Sequence, residues 1–219
     1  MKYDLVVHPE LRQEVNRMYE AWKQDPRSAA GREFLAFREA MTALRDGRED
    51  EYIGKRLGYG PSSHDLRDAA ELKVDVFDEG GTRDRPRPSH RLVYREFEPP
   101  QKVENGRVVK DPNARPIRQI VAFNHRADEP AAIAGQRLGR ERGRQESSLH
   151  GIAGGGRPDV GPQRPGAQTT PHRLPVPQDV LHQILRDSPP AGTRPAPQSA
   201  PQAKVNRPEG AGKEQSQER

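Results

Sequence analysis

The chain has no cysteine. Disulfides, thiolate metal sites and a cysteine nucleophile are therefore excluded, and the redox compartment is left open. Aromatic residues are scarce, at 5% of 219 residues, and every Phe, Tyr and Trp lies at or before Phe123. Apolar residues make up 31% of the chain, against 32% charged. A core must form in the first part, because the remainder has too little apolar area to offset its ordering entropy. No stretch comes near the roughly 18 consecutive apolar residues of a membrane-spanning helix. The apolar run Leu5-Val6-Val7 is too short for a signal peptide, so the cytoplasm is the expected compartment. A P-loop, a dinucleotide fingerprint, His-Glu-x-x-His and Gly-x-Ser-x-Gly are all missing.

What is present is basic. A net charge of +5 and a pI near 9.6 suit a polyanionic partner, nucleic acid first, then an acidic protein or a membrane surface. The stretch His90-Arg91-Leu92-Val93-Tyr94-Arg95-Glu96-Phe97, bounded by prolines, reads as a strand. Its alternation puts Leu92 and Tyr94 on one face and Arg91, Val93 and Arg95 on the other. Such arginines are either simply solvated or part of a working surface.

Tyr3 to His8 reads as a short strand that stops at Pro9, a residue suited to the first turn of a helix. Leu11, Val15, Met18, Tyr19 and Trp22 follow at helical spacing, up to Asp25-Pro26. A second helix is predicted from an N-cap at Ser28 to Arg45, with Phe34, Phe37, Met41 and Leu44 on one face and Gly47 as its stop. A polar connection from Tyr52 to Ser63 carries Lys55 and Arg56. Glu71 to Phe77 alternates as a strand, with Leu72, Val74 and Val76 opposite Lys73 and Asp75. Asn105-Gly106, between two short apolar-containing runs, signals a tight hairpin. The last strand is Ile117 to His125, followed by Arg126 and a short helix from about Glu129 to Leu138.

The expected fold class is α+β: an N-terminal strand and a helical hairpin packed on a small antiparallel sheet whose other face, with Lys73, Arg91 and Arg95, is open. The domain is expected over residues 1–138, with inserts at about 78–89 and 99–116. Residues 139–219, rich in Pro, Gly and Gln, are expected to be a disordered tail. One island, at 178–187, has Val180, Leu181, Ile184 and Leu185 as a helical apolar stripe. It would dock into a partner groove or fold back on the domain.

The remaining chemistry lies in His64-Asp65-Leu66-Arg67, Lys73, His90-Arg91 and Asn124-His125-Arg126. Cleaving RNA through its own 2′-hydroxyl needs a base near that hydroxyl, positive charge on the phosphate and an acid for the 5′-oxygen. His90 or His125 could move protons near neutral pH, and Arg91 and Arg126 could hold the phosphate. The same residues could instead form a phosphate-binding patch without catalysis, or surface charge with no role. His64, His90 and His125 lack zinc-ligand spacing, so no metal and no cofactor are expected.

These residues and the order of elements carry a resemblance. Residues 3 to about 138 resemble the RelE/ParE superfamily of bacterial toxins from toxin–antitoxin pairs. The matching parts are the opening strand and helical hairpin, His64-Asp65-Leu66-Arg67, His90-Arg91-Leu92-Val93-Tyr94 and Ile120-Val121-Ala122-Phe123-Asn124-His125-Arg126. The resemblance implies either mRNA cleavage on the ribosome, as in RelE-type members, or non-enzymatic action on a bound target such as gyrase, as in ParE-type members. It implies RNA, the ribosome and an antitoxin protein as partners, and no membrane. Carried over by motif, Arg91 and Arg126 hold the phosphate, Lys73 adds charge, and His125 or His90 transfers the proton. Lys55, Arg56, Arg67 and Arg95 are the accompanying candidates for nucleic-acid contact. The family's tyrosine beyond the last arginine has no counterpart, since no tyrosine follows Phe123.

Overall fold

The two helices start and stop where their side chains allow. Pro9 opens α1 (Pro9–Gln24), and Ser28 caps α2 (Ala29–Asp46), its hydroxyl accepting from the Gly31 amide at 3.0 Å. Gly47 ends α2 at φ 68°, a left-handed conformation that favours glycine. Tyr19, Trp22 and Phe34 cluster between the helices, with ring centroids 5.3–5.8 Å apart.

The computed structural model describes residues 1–80, 87–104, 107–109, 111–152 and 170–187. Its strands are β1 (Asp4–Val7), β2 (Ile53–Arg56), β3 (Ala69–Val74), β4 (His90–Phe97), β5 (Lys102–Glu104), β6 (Arg107–Val109), β7 (Ile117–His125) and β8 (Arg173–Leu174). The main sheet runs β1-β7-β4-β3-β2, with β1 parallel to β7 and the other neighbours antiparallel. β8 pairs in parallel with the end of β4. β5 and β6 form a separate hairpin, which is the expected small insertion; its Asn105-Gly106 turn lies outside the described residues.

The helical hairpin covers one face. Leu11, Phe37, Ala40 and Leu44 from the helices meet Ala70, Leu72, Val74, Leu92, Tyr94, Ile120 and Phe123 from the sheet. The expectation of an open second face is corrected. There α3 (Pro130–Arg137) lays Ala134 against Val93, Val121 and Ala122, with Leu57 and Leu66 beside them. Further along, α4 (Gln178–Asp187) buries Val180 against Val6, Phe97 and Ile117. The reason is visible in β4 and β7. They carry apolar groups on both faces, as strands buried on both sides do. A bulge after Val93 pairs Val93 with Ala122 but Tyr94 with Ile120, and leaves Val121 as the extra residue.

Two boundaries also move. β2 forms within the stretch expected to be a polar connection; it is a sheet edge, and Gly54 and Lys55 mask its alternation. The domain continues past residue 138. The Arg140 guanidinium reaches the Asp65 carbonyl and Asp68, the Gly143 amide donates to the Ser63 carbonyl at 3.0 Å, and Leu149 is buried. The island at 178–187 folds back on its own domain, with β8 as its anchor. Residues 153–169 and 188–219 of the expected tail lie outside the described residues. Among the described residues no helix is long and apolar enough to cross a membrane.

Removing the two buried methyl groups of Val180 tests this docking. Val180→Ala should cost about 2 kcal/mol and lower the melting temperature by roughly 4–8 °C in a circular-dichroism melt. An unchanged melt would mean that α4 does not pack there.

Candidate functional site

The pairing of β4 with β7 sets His90 opposite His125 and Arg91 opposite Asn124. Because side chains alternate, both histidines fall on the side of the helical hairpin, with Phe123, while Arg91 falls on the side of α3. The two imidazoles meet edge to face, 5.4 Å between centroids.

His90 is almost wholly buried, stacked on Phe123 at 5.2 Å and near Phe77 at 5.5 Å. The Ser89 hydroxyl accepts from the Val76 and Phe77 amides, at 3.2 and 3.0 Å, so its own proton goes to His90 Nδ1 at 3.0 Å. That fixes the proton of the neutral ring on Nε2, 3.6 Å from a Glu33 oxygen. Burial, reinforced by nearby His125, pushes the His90 pKa down to about 4. His90 is therefore a neutral supporting ring at pH 7.

His125 is one-third exposed, and its Nδ1 accepts from the Ala127 amide at 3.2 Å. A ring nitrogen that accepts carries no proton, so Nε2–H is the donor, and it donates to Glu79 Oε1. The other Glu79 oxygen lies 2.6 Å from Arg126 Nη2. The hydrogen bond from His125, and then the charge of Arg126, hold the Glu79 carboxyl below its ordinary range. Beside this group, a cleft of about 350 Å³ is lined by Glu14, Arg17, Glu33, His90, His125 and Asp128. Burial pushes the Glu33 carboxyl upward.

The expected catalytic set is thus divided by the sheet. Arg91 turns back to donate to the Pro88 and His90 carbonyls, both at 2.8 Å, and its Nε lies 3.8 Å from Glu71. Lys73 is directly across from it, with a pKa lowered by burial and then by Arg91. Lys55 is 3.6 Å from the same Glu71, so three cations gather around one carboxylate on the α3 side.

Two arginines expected to contact nucleic acid are internal instead. Arg95 is buried, donating to Gln119 at 2.6 and 3.2 Å and to Asp68 at 3.4 Å. Asp68 also takes two bonds from Arg140, each 2.6 Å. Arg67 grips Asp65 at 2.7 and 2.8 Å and the Ile152 carbonyl at 3.0 Å. Arg56 donates to the Thr170 carbonyl at 2.7 Å; with Lys55, Tyr59, Ser63, His64 and Arg142 it lines a second cavity of about 590 Å³. His64 bonds the Arg140 carbonyl at 2.7 Å, and its ring lies so close to α3 that a Cβ at Gly135 would sit 2.2 Å from it. His64 is therefore on the opposite side of the sheet from His90 and His125, and the three do not converge.

Sequence reasoning missed Glu33, Glu79 and Ser89. Glu79 and Ser89 lie at the two ends of the charged insert at about 78–89, which reads only as a loop, and Glu33 reads as one polar helical residue among many. Compared with family models, curated proteins and solved structures, the chain matches none of them.

A buried neutral histidine makes stability depend on pH. The unfolded ring titrates near 6.5 and the folded one near 4, so the unfolded state binds more protons between these values. Stability is complete above pH 6.5 and falls as pH drops toward 4, by up to about 3 kcal/mol from this group. Urea unfolding of the wild type and His90→Phe at pH 7 and pH 4.5 should show a shallower loss in the variant. Equal losses would contradict the assignment.

Proposed function

We propose that this chain is a RelE-like toxin whose joined strand ends bind and cleave single-stranded RNA without a metal, on ribosome-bound messages, with an antitoxin as its binding partner. The observation that carries the reading is the His125–Arg126 step, whose Nε2–H and guanidinium converge on one anion beside a cleft holding Glu33. An opening strand and helical hairpin laid on an antiparallel meander support it as well.

In this reading Arg126 and His125 are donors to the non-bridging phosphate oxygens, where charge grows as the 2′-oxygen attacks. Arg91, just around the sheet end, adds positive charge. Glu33, made more basic by burial, takes the 2′-hydroxyl proton. The bond from the 2′-oxygen to phosphorus forms as the bond to the 5′-oxygen breaks, leaving a cyclic phosphate and a 5′-hydroxyl. His125, as the imidazolium, turns its Nε2 proton from the non-bridging oxygen to the leaving 5′-oxygen as charge develops there and transfers it, keeping the proton on Nδ1. In that state Nδ1 carries a proton and no longer accepts from the Ala127 amide. Lys73, the buried Arg95 and the partly buried Arg67 have no direct part.

A second reading, non-enzymatic binding of a partner, is favoured by one observation: His125 has both nitrogens engaged, one of them by the backbone. Induced expression in a bacterial host with primer extension separates the two. Cleavage predicts growth arrest with discrete, translation-dependent cuts, abolished by Arg126→Ala and by Glu33→Gln in proteins that melt within a few degrees of the wild type. Arrest with intact messages would contradict cleavage and leave the binding reading.

A further inference from the structure

The His125–Arg126 pair does not stand open. The His125 Nε2–H donates to one oxygen of Glu79 and the Arg126 guanidinium makes an ion pair with the other; Glu79 belongs to the segment that leaves β3. That segment is held in place nearby. The Val76 and Phe77 amides are pinned to Ser89, and the Phe77 ring lies 4.6 Å beneath the Arg32 guanidinium. Gly80, at φ 72°, bonds back to Asp78 at 3.0 Å. Glu79 is thus presented to the pair from two residues beyond an anchored ring.

A carboxylate and a phosphodiester present the same recognition group: one negative charge shared by two terminal oxygens, suited to two parallel donors. We infer that Glu79 occupies the phosphate seat of the site as an internal competitor, and that a phosphodiester binds by displacing it. This rests on the reading of the site as a phosphate-binding one.

The exchange conserves charge, one anion for another, so the Arg126 guanidinium and the His125 Nε2–H keep a partner throughout. Glu79 is tethered to the chain, and its effective concentration at the seat is high, so a single phosphate competes poorly. A strand of RNA that also contacts other basic groups can outbid it. The fold therefore carries an autoinhibitory contact within one chain, and its strength sets how much nucleic acid the free protein holds.

Fluorescence anisotropy of the full chain with a labelled 2′-O-methyl oligoribonucleotide, which has no 2′-hydroxyl to react, reads binding alone. Glu79→Ala should bind at least tenfold more tightly than the wild type, and Glu79→Gln should also gain. Adding Arg126→Ala to Glu79→Ala should remove the gain. Glu141→Ala, which deletes an equally charged but exposed residue of the α3 side, should change binding less than threefold. Unchanged or weaker binding by both Glu79 variants would overturn the inference, as would a gain that survives Arg126→Ala or that Glu141→Ala reproduces. The outcome is separable from the cleavage reading. A gain in binding with intact cellular messages would keep the seat and remove cleavage. Cut messages with no gain would keep cleavage and remove Glu79 as the competitor for its seat.

Discussion

The antiparallel pairing of β4 with β7 is the constraint on which the rest of the molecule depends. At one end it brings His90 to His125. At the other it brings Glu96 to Arg118, a fully buried arginine that also donates to Glu49 at 2.6 and 2.9 Å and to the Leu44 carbonyl at 2.7 Å. Burial alone would lower the Arg118 pKa, but its bonds to Glu49 and the surrounding anions more than offset this and hold it charged. The guanidinium also lies over the Tyr3 ring at 3.5 Å. Glu96 in turn receives Arg173 of β8, so one buried carboxylate ties the helical side of the sheet to the chain that carries α4. Leaving either charge without its partner would cost about 3–5 kcal/mol.

A second buried network does the same work on the other face. Asp68 gathers Arg95 and Arg140, and Asp65 gathers Arg67 and the Glu146 amide at 2.9 Å. These contacts close the face over which nucleic acid was expected to lie. The basic character of the chain is therefore a poor guide to its binding surface, because several arginines neutralise buried carboxylates. Among the cations that stay near solvent are Arg126 at the sheet end and Lys55 at the sheet edge.

Local signals in the sequence were faithful at α2, β4 and β7, but the strand expected over Glu71 to Phe77 forms instead as β3 over Ala69–Val74. Ser28 and Gly47 bracket α2 because a cap and a left-handed stop act within a few residues, and the spans of β4 and β7 follow from bounded β-branched and aromatic runs. The site was half legible. His90, Arg91, His125 and Arg126 do meet at one end of the sheet, yet strand alternation divides the histidines from Arg91, a consequence that appears only once β4 and β7 are set in register. Nothing local marked Asp68 for Arg140, 72 residues away, or Glu79 for His125, 46 residues away. Partnership between charges distant in sequence leaves no periodicity. Composition hid β8 in the same way, because a two-residue strand in a proline-rich stretch gains its stability from the core it covers, whereas the apolar stripe of α4 was legible at 178–187.

The central claim is that the joined strand ends form an oxyanion seat built from a donor histidine and Arg126. Long-range proton–nitrogen NMR of the imidazole rings at pH 7 tests it most directly, because it reads which nitrogen carries the proton. The structure requires the ring proton of both His90 and His125 to lie on Nε2, and the His125 Nε2 signal to move when Glu79 is replaced by alanine. A proton on Nδ1 of His125, or a His125 signal indifferent to Glu79, would contradict the account.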